Sequence, residues 1–157
     1  MTTRPGRDPY PVDDVSSAII EQLQQNGRRP YASIGKAVGL SEAAVRQRVQ
    51  RLIEAGVMQI VAVTDPAKLG FALRAMIGIR ADGDLAQVAE KIGHLPEVAS
   101  VIITAGSFDI LAEVVCEDEA GLLSLVTDGI RSVPGVRTTE IFVHLTPAKQ
   151  TNTWGTR

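Results

Sequence analysis

From Asp13 onward, Val15, Ala18, Ile19 and Leu23 recur with Gln22 at helical spacing, the 3.6-residue period of a helix with one buried face. Asp13 or Asp14 provides the N-cap and Asn26-Gly27 the stop. A second helix is predicted from about Tyr31 to Val38, with Pro30 suited to its first turn and Ile34, Ala37 and Val38 inward. Gly39-Leu40-Ser41 is a tight turn, and Ser41 caps a third helix with Glu42 in its first turn. That helix carries the stripe Val45, Val49, Leu52 and Ile53 and ends at Gly56. Two helices joined by a three-residue glycine turn form a helix-turn-helix. Val57 to Val63 is β-rich, a small wing or connecting strand, and Asp65-Pro66 through Gly70 reads as a linker.

From Phe71 the period becomes two. Phe71, Leu73, Ala75, Ile77 and Ile79 alternate with Ala72, Arg74, Met76, Gly78 and Arg80, a strand with one wholly apolar face. Gly83 breaks it, and Leu85, Val88, Ala89 and Ile92 mark a helix. A second strand is predicted over Val98–Thr104, a turn at Ala105-Gly106-Ser107, and a third strand over Phe108–Glu117 with Phe108, Ile110, Ala112, Val114 and Cys116 on its core face. A helix over Glu119–Ser132 and a strand over Val136–Leu145 complete the order βαββαβ. Leu95-Pro96-Glu97-Val98 and Val133-Pro134-Gly135-Val136, 38 residues apart, repeat the helix-to-strand junction. This is the duplicated unit of a ferredoxin-like sheet with both helices on one face. The other face, expected to carry Met76, Leu111, Val115, Ile141 and Val143 among charges, has no cover within the chain. Oligomerisation is the natural cover for such a face.

At 157 residues there is room for one ordinary domain or two small ones. With 45% apolar and 22% charged residues the chain is globular, which excludes extensive disorder. A single cysteine, Cys116, excludes an intrachain disulfide and a thiolate metal cluster, and His94 and His144 lie far apart. No apolar run reaches membrane length, and the arginines near the N-terminus precede no apolar stretch. A soluble cytoplasmic protein without membrane association is expected. Gly106-Ser107 lacks the spacing of a nucleophile elbow, and no catalytic cluster, metal site or cofactor motif is present. The net charge of −2 argues against indiscriminate nucleic-acid binding, but it is unevenly spread. Residues 1–66 carry eight basic and seven acidic groups, and residues 67–157 eight and eleven. Within 28–51, Arg28, Arg29, Lys36, Arg46, Arg48 and Arg51 face Glu42 alone, a local +5. A confined basic cluster on a helix-turn-helix is the footprint of a DNA reader.

Several segments together resemble the Lrp/AsnC (feast/famine) transcription factors over roughly residues 12–150. They are Val12-Asp13, Ile19-Ile20 with Leu23-Gln24, Gly27-Arg28, Val38-Gly39-Leu40-Ser41, Arg48-Val49-Gln50-Arg51-Leu52, Gly56-Val57-Met58, and Asp65-Pro66 with Leu69-Gly70. Further on come Gly106-Ser107-Phe108-Asp109, Pro134-Gly135-Val136 and Lys149. The resemblance implies an α+β architecture, an N-terminal winged helix-turn-helix followed by a ferredoxin-like βαββαβ effector and oligomerisation domain. It implies dimers that build tetramers or octamers, an amino acid or similar metabolite bound at C-terminal interfaces, and control of amino-acid metabolism genes. Ser16, Ser33 and Ile141 depart from the residues usual in the family, which have aspartate, glutamate and threonine there.

The expected organisation is a flexible arm over 1–11, a DNA-binding domain over 12–63, a linker over 64–70, the effector domain over 71–146 and a tail over 147–157. On the third helix, Ala43, Arg46, Gln47 and Gln50 lie opposite the apolar stripe. Arg46 suits guanine and the glutamines adenine in the major groove of double-stranded DNA. Arg28, Arg29, Lys36, Ser41, Arg48 and Arg51 suit phosphate or structural pairing, with Asp13 a candidate partner of Arg48. For an amino-acid effector the expected residues are Thr104, Gly106, Ser107, Phe108, Asp109 and Thr139. Gly106 would permit close approach and positive φ, the Asp109 carboxylate would meet an α-ammonium, and turn N–H groups would hold the carboxylate. A rival reading is a small-molecule-binding ferredoxin-like domain whose helices contact protein and not DNA.

Overall fold

The computed structural model describes residues 11–146 and 148. The expected arm, apart from Pro11, and the expected tail, apart from Ala148, lie outside the described residues, as do Lys149 and Trp154. The chain forms two compact units that divide between Val63 and Thr64.

The first unit holds α1 (Asp14–Gln25), α2 (Tyr31–Val38) and α3 (Glu42–Glu54). Asp13 is the cap of α1, accepting the Ser16 N–H at 2.8 Å. Gly39, at φ 72°, closes α2, and the Ser41 hydroxyl accepts the Ala44 N–H at 3.2 Å to open α3. Ile19, Leu23, Ile34, Val45 and Val49 form the core, with Tyr31, Val38, Leu40 and Met58 packed against it. Ala37 and Ile53, expected inward, are exposed. The short α2 rests on Ile34 and Gly35, and the inward stripe of α3 runs through Val45, Val49 and Leu52, which leaves Ile53 on the flank. Val57–Val63 does not form the expected strand. It runs on with Ile60, Val61 and Val63 exposed, because no described segment of the chain pairs with its backbone.

The second unit begins with a tight turn, Pro66–Leu69, inside the expected linker. It continues as β1 (Leu73–Ala81), α4 (Leu85–Gly93), β2 (Val98–Ile103), β3 (Ile110–Cys116), α5 (Glu119–Ser124) and β4 (Val136–Val143). The antiparallel sheet has the order β2-β3-β1-β4, the ferredoxin-like arrangement expected. The second helix is shorter than predicted. After Ser124 the backbone widens into a π-turn over Leu125–Gly129 and tightens over Ile130–Ser132. This keeps Leu125, Val126 and Ile130 buried although Gly129 interrupts the helix. Together with Val88, Ile92 and Leu122 they cover Ala75, Ile77, Ile79, Ile110, Ala112, Val114 and Cys116.

Register corrects three facial assignments. Cross-strand partners point to the same face. Ile141 pairs with Ile77 and Val143 with Ala75, so both lie on the helix side, at its exposed β4 margin. On the open face β4 places Phe142, opposite Met76, and Glu140, opposite Gly78. Phe108 precedes β3, and its ring lies over Gly78, not in the core with Ile110. The open face therefore presents Met76, Leu111, Val115 and Ile102 with Phe108 and Phe142. Among the described residues no helix is long and apolar enough to cross a membrane.

Candidate DNA-reading helix and effector turn

On α3, Ala43, Arg46, Gln47 and Gln50 are all exposed, one face of the helix opposite Val45, Val49 and Leu52. Arg46 is held in place from two sides. It donates to the Glu42 carboxylate at 3.0 Å, and its guanidinium carbon lies 5.4 Å from the centre of the Tyr31 ring. Sequence spacing marks the Glu42 contact but gave no sign of Tyr31, which α2 brings across. Gln50 donates to Glu54 at 2.8 Å.

Arg48 is differently placed. It donates to both Asp13 oxygens, at 2.7 and 2.9 Å, and to the Ser16 hydroxyl at 3.1 Å. It thus ties α3 to the start of α1. The Ser16 hydroxyl, the Arg48 guanidinium and the Ser16 N–H lower the Asp13 pKa to about 2 from 3.8. Ser16 is buried at 5% exposure, so the departure from aspartate leaves a neutral partner beneath the ion pair. Ser41 serves as a cap, Arg28 and Arg51 are exposed, and Arg29 is half-buried. The basic cluster is therefore weaker in the free protein than the count of +5, which already includes Glu42, since Arg48 also carries Asp13 from outside the segment.

In the second unit the turn is fastened to β1. Asp109 donates its N–H to the Ile79 carbonyl at 3.0 Å, and its carboxylate accepts the Ala81 N–H at 3.0 Å. The Thr104 N–H donates to the Asp109 carbonyl at 2.9 Å, and the Thr104 hydroxyl donates to the Phe108 carbonyl. Gly106 and Ser107 are exposed at the tip. Gly106 does not take the expected positive φ, so its place in the turn is one of open space, with nothing within 4 Å of where a Cβ would stand. Thr139 is not gathered with the turn. It pairs with Ile79 on the far side of β1 and accepts from Arg131 Nε at 2.8 Å. One carboxylate oxygen of Asp109, Oδ2, holds β1 through the Ala81 N–H. Burial, then Glu97 and Asp118, push the Cys116 thiol up, in keeping with a packing role. Among the described residues no group of His, Cys, Asp or Glu is arranged to hold a metal.

A three-helix unit with a basic reading helix, joined to a sheet with one open face, defines a DNA-binding regulator with a separate assembly domain. Residues 12–53 match the AsnC-type helix-turn-helix domain, and residues 74–157 match a C-terminal dimeric alpha+beta barrel domain. The chain is 32% identical over 143 residues to the HTH-type transcriptional regulator FL11 of Pyrococcus horikoshii, covering 90% of this chain and 94% of that one. It is 31% identical to the regulator LrpA of the same organism, covering 80% and 90%. Escherichia coli AsnC superposes with a TM-score of 0.84 at 25% identity, covering 92% and 99%. The regulator NMB0573 of Neisseria meningitidis, solved as an L-Met complex, superposes with a TM-score of 0.83 at 25% identity, covering 92% and 96%. The chain belongs to the AsnC/Lrp family of helix-turn-helix transcriptional regulators. It is a DNA-binding regulator and not an enzyme, and the rival reading without DNA gives way.

Proposed function

We propose that this protein is a cytoplasmic, amino-acid-responsive regulator of amino-acid metabolism genes, with Arg46, Gln47 and Gln50 reading bases beside Ala43. Arg28, Arg29, Ser41 and Arg51 contact phosphate, while Arg48 acts through the fold by holding α3 on Asp13. The observation that carries the DNA assignment is the single exposed face of α3, whose polar residues are free of the core. A dimer joined through the sheet domain presents two such helices to major grooves about 34 Å apart. Dimers assemble further into tetramers or octamers, and the effector acts by its differential affinity for those assemblies.

The effector position is the Thr104–Asp109 turn, with Gly106 and Ser107 open to the ligand and the second Asp109 oxygen facing its ammonium group. Support comes from the exposed tip and from the relative crystallised with L-Met. Two measurements test the reading. In gel shifts on the gene's own upstream DNA, the Arg46→Ala/Gln47→Ala variant loses specific binding; parental affinity would refute the base-reading role. Calorimetry with the twenty amino acids then compares the parent with Asp109→Asn, whose amide oxygen can still accept from Ala81 N–H but carries no charge. A parental response in Asp109→Asn would remove the ammonium contact.

A further inference from the structure

Gly78 sits in the middle of β1 with its missing side chain directed to the open sheet face, since Ile77 and Ile79 on either side are fully buried in the core. A Cβ at Gly78 would lie 2.7 Å from the Phe108 ring, so the ring fills the place where a side chain would stand. Phe142 of β4 meets Phe108 edge-on, with centroids 6.0 Å apart, and the Arg80 guanidinium carbon lies 5.7 Å from the ring centre. A glycine in a strand covered by an aromatic ring from a neighbouring segment keeps the backbone shielded there. Phe108 is also the residue before Asp109, and its carbonyl accepts from Thr104. The turn that is fastened to β1 at Ile79 and Ala81 thus sends its one aromatic side chain across to the open face.

We infer that Phe108 is a positioning residue that makes the Thr104–Asp109 turn and the dimer face a single unit. The occupant of that face is a second copy of this chain: the domain matches a dimeric barrel class, and the described helical segments of this unit pack on the opposite side of the sheet. Aromatic side chains near the centre of an interface carry a large share of its strength. Phe108 and Phe142 hold the facing sheet, and any displacement of the turn lifts the ring from Gly78 and loosens that contact. This gives the proposed effector site a route to assembly that runs through one ring. The link to a ligand rests on the effector reading above; the link between turn and dimer does not.

The test is subunit exchange between heavy-isotope and light full-length protein, followed by native mass spectrometry, with melting temperature measured alongside. Phe108→Ala is expected to speed exchange about tenfold or more, and Phe108→Tyr, which keeps the ring, to exchange like the parent. Asp109→Ala, which releases the turn from Ala81, speeds exchange in the parent but adds nothing in the Phe108→Ala background. If Phe108→Ala does not fold, Phe108→Leu takes its place with the same readout. A folded variant that melts lower yet exchanges at the parental rate would make Phe108 a packing residue and overturn the inference. So would an Asp109→Ala effect of equal size with and without the ring. Silence of the parent toward all twenty amino acids would instead remove the effector reading and leave the exchange result standing.

Discussion

Gly35→Ala in α2 should destabilise the helix-turn-helix although it replaces a poor helix former by the best one. In an open helix interior that exchange stabilises by about 1 kcal/mol. Here the new Cβ would sit 2.4 Å from the Leu40 carbonyl oxygen, where real Cβ contacts stay above 3.0 Å. The obstacle is backbone, and that same backbone accommodates the Leu40 N–H donating to the Gly35 carbonyl at 2.9 Å. A rotamer change cannot relieve it, so the turn must open by about 0.6 Å, the gap between those two distances. Overpacking of this kind costs about 1–3 kcal/mol, and with the obstacle rigid the upper part of that range applies. The net expectation is a loss of about 1–2 kcal/mol, the overpacking penalty less the propensity gain. Hydrogen exchange of the α1–α3 amides reads this unit by itself. Because Ser41, the cap of α3, follows Leu40 directly, operator affinity in a gel shift should fall as well. Gly93→Ala is the control, since its Cβ would meet only Val101 at 3.8 Å. Unchanged or raised protection of α1–α3 in Gly35→Ala, with parental operator affinity, would refute the close approach.

Other outcomes follow from the same contacts. The Asp13 carboxyl is held at about 2 against 3.8 when free, so its contribution is present above about pH 5 and is lost as pH falls through 4 toward 2. Replacing Arg48 by methionine should flatten that limb of an acid-unfolding curve. Arg51→Ala should weaken all DNA sequences alike and lower the salt slope by about one, whereas Arg46→Ala should cost about 1–3 kcal/mol on the operator and relax preference at one base pair. Ile79→Ala, at 0% exposure between the two halves of the sheet core, should destabilise the second unit by about 2–5 kcal/mol in urea unfolding.

Much of the architecture was legible from local patterning. Asp13, Ser41 and Gly39 sit where caps and a left-handed turn belong. The alternation through Ala75, Ile77 and Ile79 needed only a count of two to mark a buried face. The exposed face of α3 was equally legible, because residues opposite Val45, Val49 and Leu52 must point outward on any helix. The facial placement of Ile141, Val143 and Phe108 was not. Register in β4 depends on the bulge between Arg80 and Ala81, and a shift of one residue exchanges the two faces.

The chain's sequence alone determined the two-part plan, the helix-turn-helix, the order of strands and helices, and the basic segment, because periodicity, caps and charge are properties of neighbours along the chain. Only the tertiary structure decided which charges are occupied and where the turn's aromatic side chain goes. Of the partners the sequence left open for Arg48, the fold selects Asp13, 35 positions away; Arg46 rests on Tyr31 from another helix, and Phe108 finds its socket at Gly78 on β1. Those contacts depend on how helices and strands are brought together in space, and spacing along one segment carries no record of that.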